Sequence, residues 1–172
     1  MKFPTSRRIA LYGLLICLSL IFSYVESFLI LPVPVPGIKL GLANIVTLLA
    51  LFTLPLGGAL TISLLRVLLA ALLFGRTGSL IFSLSGCLLS FAGMALARRS
   101  QLFSLLGVSI LGGLLHNVGQ LCAAAWVIHN AALLYYLPVL LAAGGLCGLL
   151  TGKVAHLVLG HLQKTGFGDF LR

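Results

Sequence analysis

The sequence predicts an all-α integral membrane protein, a bundle of six transmembrane helices with both chain ends in the cytoplasm. Three observations predict it. Of 172 residues, 60% are hydrophobic and 8% are charged, against roughly 25% charged in a soluble domain, so no water-facing surface can be built. The apolar residues form long runs separated by short breaks, and crossing the hydrocarbon takes about 20 such residues in a helix. Lys and Arg gather at alternate breaks. The runs do not alternate polar with apolar residues as barrel strands do, which leaves helices as the spanning element.

The first span is expected near residues 8–30, where Lys2, Arg7 and Arg8 precede an apolar run from Ile9. That start resembles a signal peptide. No A-x-A-like cleavage site follows between Glu26 and the prolines at 32, 34 and 36, so the helix is expected to be retained. The second span, near 38–54, is short and opens with Pro36-Gly37-Ile38-Lys39-Leu40-Gly41. The third, fourth and fifth are expected near 57–75, 78–97 and 103–128. The sixth, near 132–153, has an apolar continuation towards His161 suited to the interface. Residues 1–172 form a single membrane domain on this reading, with lipid as the surrounding solvent.

With the N-terminus inside, Lys2, Arg7, Arg8, Arg98, Arg99, Lys153, Lys164 and Arg172 all fall on the cytoplasmic side, and Lys39 and Arg76 fall outside. Basic residues near span ends are retained in the cytoplasm, which sets the orientation. The net charge of +9 would suggest nucleic acid in a soluble protein. Here the charges sit at the ends of apolar runs, so no nucleic-acid partner is expected.

Glu26 and Asp169 are the only acids. Paired carboxylates for acid/base work, a calcium loop and an aspartate-rich magnesium diphosphate site are all excluded. Cys17, Cys87, Cys122 and Cys147 lie isolated in apolar stretches and are read as reduced core residues. No metal or cofactor is expected, and no G-x-x-x-x-G-K-[ST] loop occurs, so the chain does not itself use ATP.

Small residues mark two close-packing faces. Gly144, Gly148 and Gly152 recur every four residues on the sixth span, and Ser79, Ser83, Gly86, Ser90, Gly93 and Ala97 form a seam on the fourth. Trp126, Tyr135 and Tyr136 suit an outer aromatic belt.

Polar residues inside the spans carry the functional expectation. Arg66 lies ~12 Å from either end of the third span. An arginine at that depth costs at least ~2.5 kcal/mol and faces a partner or a watery cavity. His116, Asn117 and Gln120 share one arc of the fifth helix at a similar depth, one turn beyond Gly112 and Gly113. They read equally as ligand contacts and as interhelical hydrogen bonds. Gly41, Asn44 and Thr47 share a face of the second span. Asn44 is a candidate ligand contact, and Lys39 serves either as an anion contact or as a headgroup anchor. The surplus of cations in this set, with almost no acids, favours an anionic ligand.

The stretches PGIKLGLANIVTLLAL, LLRVLLAALLFGRTGSLIFSLSGCLLS and GGLLHNVGQL resemble, in that order, the bacterial Gx transporter family, also described as heptaprenyl diphosphate synthase component I. That family is similar to the substrate-binding S components of energy-coupling-factor transporters. The resemblance implies an S-component-like bundle in the bacterial cytoplasmic membrane, an outward-opening cavity for a small-molecule substrate capped by residues 31–39, and two kinds of partner: a transmembrane coupling subunit and cytoplasmic ATPases. The substrate implied is vitamin-like, or a metabolite of isoprenoid or quinone chemistry. Where several S components carry alanine-x-x-x-alanine on the first helix, this chain has Ala10 followed by Leu14, with Gly13 and Cys17 as the nearby small residues. The alternative implied by the second description is a membrane accessory to a prenyl diphosphate synthase. A catalytic role is excluded there, because elongation uses two aspartate-rich motifs and Asp169 is the only aspartate.

Overall fold

The computed structural model describes residues 5–28, 42–74 and 80–164, and the described residues contain no strand. The elements in order are α1 (Thr5–Phe28), α2 (Leu42–Thr53), α3 (Leu56–Leu73), α4 (Leu80–Ser100), α5 (Leu105–Ile128), a 3-10 turn (Ala131–Tyr136) and α6 (Leu137–Lys164). Among the described residues, five helices are long and apolar enough to cross a bilayer, and α2 falls short on its own. Its 12 residues span ~18 Å. The expected start of that span, residues 38–41, lies outside the described residues.

Helix ends follow local chemistry. Ser104 caps α5, its hydroxyl accepting from the Gly107 N–H at 3.2 Å. α5 closes at His129, which takes the left-handed conformation (φ 53°) while its N–H and that of Asn130 return to the last carbonyls of the helix. The Asn130 carboxamide oxygen then accepts from Ala132 N–H at 3.0 Å and starts the 3-10 turn. The stretch expected to open the sixth span at 132 is therefore 3-10, and the α-helix proper runs from Leu137 past 153 to Lys164. Pro138 fits in its first turn, where no N–H partner is needed.

The fourth helix also outruns its expected end at 97. Arg98 and Arg99 occupy its last turn, where cations suit the helix dipole. The Arg98 guanidinium donates to the Leu51 carbonyl in the last turn of α2 and lies 5.2 Å over the Phe52 ring. An arginine read from sequence as an orienting charge thus also ties α4 to the end of α2.

The core is built around α2. Ala43 and Ile45 through Leu51 are all buried, as expected for a predominantly apolar helix enclosed by its neighbours. It packs against α1, α3 and α6, while Phe91, Met94 and Ala97 of α4 and Val108 of α5 complete the same cluster. α1 is the least enclosed helix: Ile9, Leu14, Ile21 and Phe28 are exposed, and Tyr12 packs onto Gly58 of α3.

Both small-residue faces are spent inside the chain, and both close on α5. A Cβ at Gly148 would lie 2.7 Å from the Ile110 Cα, and one at Gly119 would lie 2.9 Å from the Gly86 Cα. Ser90 donates between α4 and α5 to the Gly112 carbonyl at 2.8 Å, and Ser109 meets Thr151 between α5 and α6 at 3.0 Å. Ser79 lies outside the described residues.

Gly148→Ala should therefore lower stability by about 1–3 kcal/mol, because the new methyl meets backbone that no rotamer change can move. Gly160, with nothing within 4 Å of its Cβ position, is the control. Gly160→Ala should be neutral or stabilising by up to about 1 kcal/mol. Thermal unfolding of both variants in one detergent checks this, and an unchanged midpoint for Gly148→Ala would show that the helices part without cost.

Candidate functional site

Arg66 is 9% exposed, and it sits ~15 Å from one end of α3 and ~10 Å from the other. Its side chain is turned into the bundle. Three interhelical contacts set what lies at its depth. The Ser63 and Thr47 hydroxyls, 3.4 Å apart, fix the antiparallel register of α2 against α3. One turn further along each helix, that register brings Asn44 level with Arg66. The Cys87 thiol of α4 donates to the Ser63 carbonyl at 3.7 Å and lies beside the Arg66 guanidinium.

The next residue back on α4, Gly86, faces α5. A Cβ there would lie 2.6 Å from the Gln120 Cγ and 2.7 Å from the His116 carbonyl. Gln120 is buried and His116 half-buried. Asn117, also buried, donates through its amide nitrogen to the Leu140 carbonyl of α6 at 2.7 Å. Asn44, Arg66, Gly86, Cys87, His116, Asn117 and Gln120 thus form one polar layer at a single depth of the bundle.

The layer has two parts. Gly86 and Cys87 are consecutive and point ~100° apart around α4. Arg66, Ser63, Thr47 and Asn44 lie on the Cys87 side; His116, Asn117 and Gln120 lie on the Gly86 side. Within the second part, the Asn117 amide makes the interhelical bond that was one of its two sequence readings. In the first part, the Arg66 Nε is buried and reaches no hydrogen-bond acceptor among the described residues. Lys39 lies outside the described residues. The described residues hold no group of three or more His, Cys, Asp or Glu that would suit a metal.

Sequence reading missed two members of the layer. Cys87 gave no signal among four isolated cysteines, and only the packing of α3 on α4 brings it to Arg66. Ser63 reads as an ordinary small polar helix residue until Thr47 is found opposite. Trp126 and Tyr135 are strongly exposed at one end of the bundle, as an aromatic belt requires, and Tyr24 meets the Phe74 ring at 5.4 Å.

An all-helical bundle with several membrane-length apolar helices and a buried polar layer defines a multi-pass membrane protein. Residues 15–158 match the family described as heptaprenyl diphosphate synthase component I, and the chain belongs to that family. No curated protein and no solved structure matches it.

Replacing Asn117 with Ala removes one interhelical bond, worth roughly 0.6 kcal/mol in a bilayer, and leaves a small void beside Gly144. The expected cost is about 1–2 kcal/mol in all. Unfolding in a mild detergent measures it, and a variant as stable as the parent would show that the bond to Leu140 contributes nothing.

Proposed function

We propose that the chain is the substrate-binding membrane component of an uptake system, S-component-like, with six spans and both ends in the cytoplasm of a bacterial cell. In this reading it performs no catalysis. It captures a small vitamin-like metabolite, or one of isoprenoid or quinone chemistry, and works with a transmembrane coupling subunit and cytoplasmic ATPases. The observation that carries the reading is Arg66, buried near the middle of an apolar helix at a cost that an ionisable residue ordinarily repays through function. The basic ends of the spans support the orientation, and a sequence without a G-x-x-x-x-G-K-[ST] loop supports the division of labour with separate ATPases.

A second reading is favoured by the family's description, that of a non-catalytic membrane accessory to a heptaprenyl diphosphate synthase. It predicts that the chain co-purifies with a soluble catalytic subunit and that deleting it changes prenyl product length.

The two separate on ligand capture. Purified protein is expected to gain stability from at least one member of a panel of vitamins, flavins and quinone precursors. The gain is ~2.7 kcal/mol at 100 times the dissociation constant. Arg66→Leu should retain normal abundance but weaken that binding by about 100-fold or more. A panel without a single stabilising compound, combined with altered prenyl products on deletion, favours the accessory.

A further inference from the structure

We propose that the Arg66 side of the polar layer is an oxyanion subsite, taking the carboxylate or phosphate group of the captured ligand. The proposal rests on the capture reading above and adds the chemical class of the group recognised.

Four observations lead there. The Arg66 side chain is about nine-tenths buried, and its Nε lacks an acceptor among the described residues. Mid-helix carbonyls keep a second lone pair, and those of Ser63 and Gly112 take the Cys87 and Ser90 donors, yet none among the described residues takes the Arg66 Nε–H. The chain has two acids in 172 residues, Glu26 near the end of α1 and Asp169 in the tail. The groups placed near Arg66 by these contacts are neutral: the Cys87 thiol, the Ser63 and Thr47 hydroxyls, and Asn44 at the same level.

A guanidinium in that setting lacks an anion, and its planar fork fits a carboxylate or phosphate better than any other group. The neutral hydroxyl and amide neighbours suit the remaining lone pairs of such a group. They would not compete with it, as a resident carboxylate would. Binding is then driven by a charge that the ligand supplies, and a neutral isostere forgoes it. Only the oxyanion end is specified; the apolar surroundings suit an apolar remainder.

Thermal unfolding in phosphatidylcholine nanodiscs tests this with three probes: 1-naphthoate, its neutral match 1-naphthamide, and inorganic phosphate. A further arm replaces part of the lipid with phosphatidylglycerol, which separates a soluble ligand from a lipid headgroup. The expected result is that naphthoate or phosphate, or the anionic lipid, raises the midpoint while naphthamide does not. Arg66→Gln should weaken the effective oxyanion at least tenfold, and Arg66→Lys, which keeps the charge but loses the fork, should weaken it less. Equal stabilisation by the amide, an undiminished effect in Arg66→Gln, or no effect from any oxyanion arm overturns the proposal. If a neutral compound from the earlier panel still binds, capture stands and only oxyanion recognition falls. If nothing in either set binds, both fall together.

Discussion

Everything in this bundle depends on how closely α5 lies to its two neighbours. Gly113 against Gly144 and Gly148 against Ile110 bring the backbones of α5 and α6 into direct contact, and Gly86 against Gly119 does the same for α4 and α5. In lipid the apolar side chains gain little by leaving a medium as oily as themselves, so helices are held by tight van der Waals packing and by hydrogen bonds between them. Glycine supplies both, because removing the side chain lets backbone meet backbone and brings short polar side chains within reach. Ser90 reaching the Gly112 carbonyl and Asn117 reaching the Leu140 carbonyl are consequences of that approach.

The same solvent explains how the remaining hydroxyls behave. Ser19, Thr53, Thr61, Ser63 and Ser85 each return a hydrogen bond to a carbonyl three or four residues earlier on their own helix. A hydroxyl that faces hydrocarbon has no water to satisfy it, and back-bonding to its own helix is the cheapest alternative. The polar layer is different in kind. Ser63, although back-bonded as well, reaches Thr47, the Cys87 thiol reaches the Ser63 carbonyl and Asn117 reaches the Leu140 carbonyl, so bonds between helices gather in the layer.

The helical class, five of the membrane-length apolar helices and the two small-residue faces were legible in the sequence because each is a property of spacing along one helix. Arg66 and the triplet His116, Asn117 and Gln120 were legible for the same reason: a charge or amide inside an apolar run stands out. What spacing does not carry is azimuth between helices. Nothing in the sequence tells that Cys87 rather than Cys122 meets the arginine, or that α4 separates Arg66 from His116. Helix ends were misplaced where side chains override hydropathy. Arg98 stays helical because the end of α2 accepts its guanidinium, and the start of the sixth span is 3-10 because Asn130 caps it.

The two buried-leaning arginines show why depth decides role. Arg98 sits in the last turn of α4 and finds the last turn of α2, where carbonyls lack intrahelical partners and carry the negative end of the dipole. A helix end can satisfy a guanidinium with backbone alone, so Arg98 is accounted for by the fold. Arg66 lies about two turns from the nearer end of α3, and its Nε meets no acceptor among the described residues. Its neighbours there are hydroxyls, a thiol and an amide, none of which carries charge. The fold thus meets the needs of one arginine and leaves those of the other partly unmet, and an unmet cation in hydrocarbon is expensive enough that a role outside folding is the economical account of why it is there.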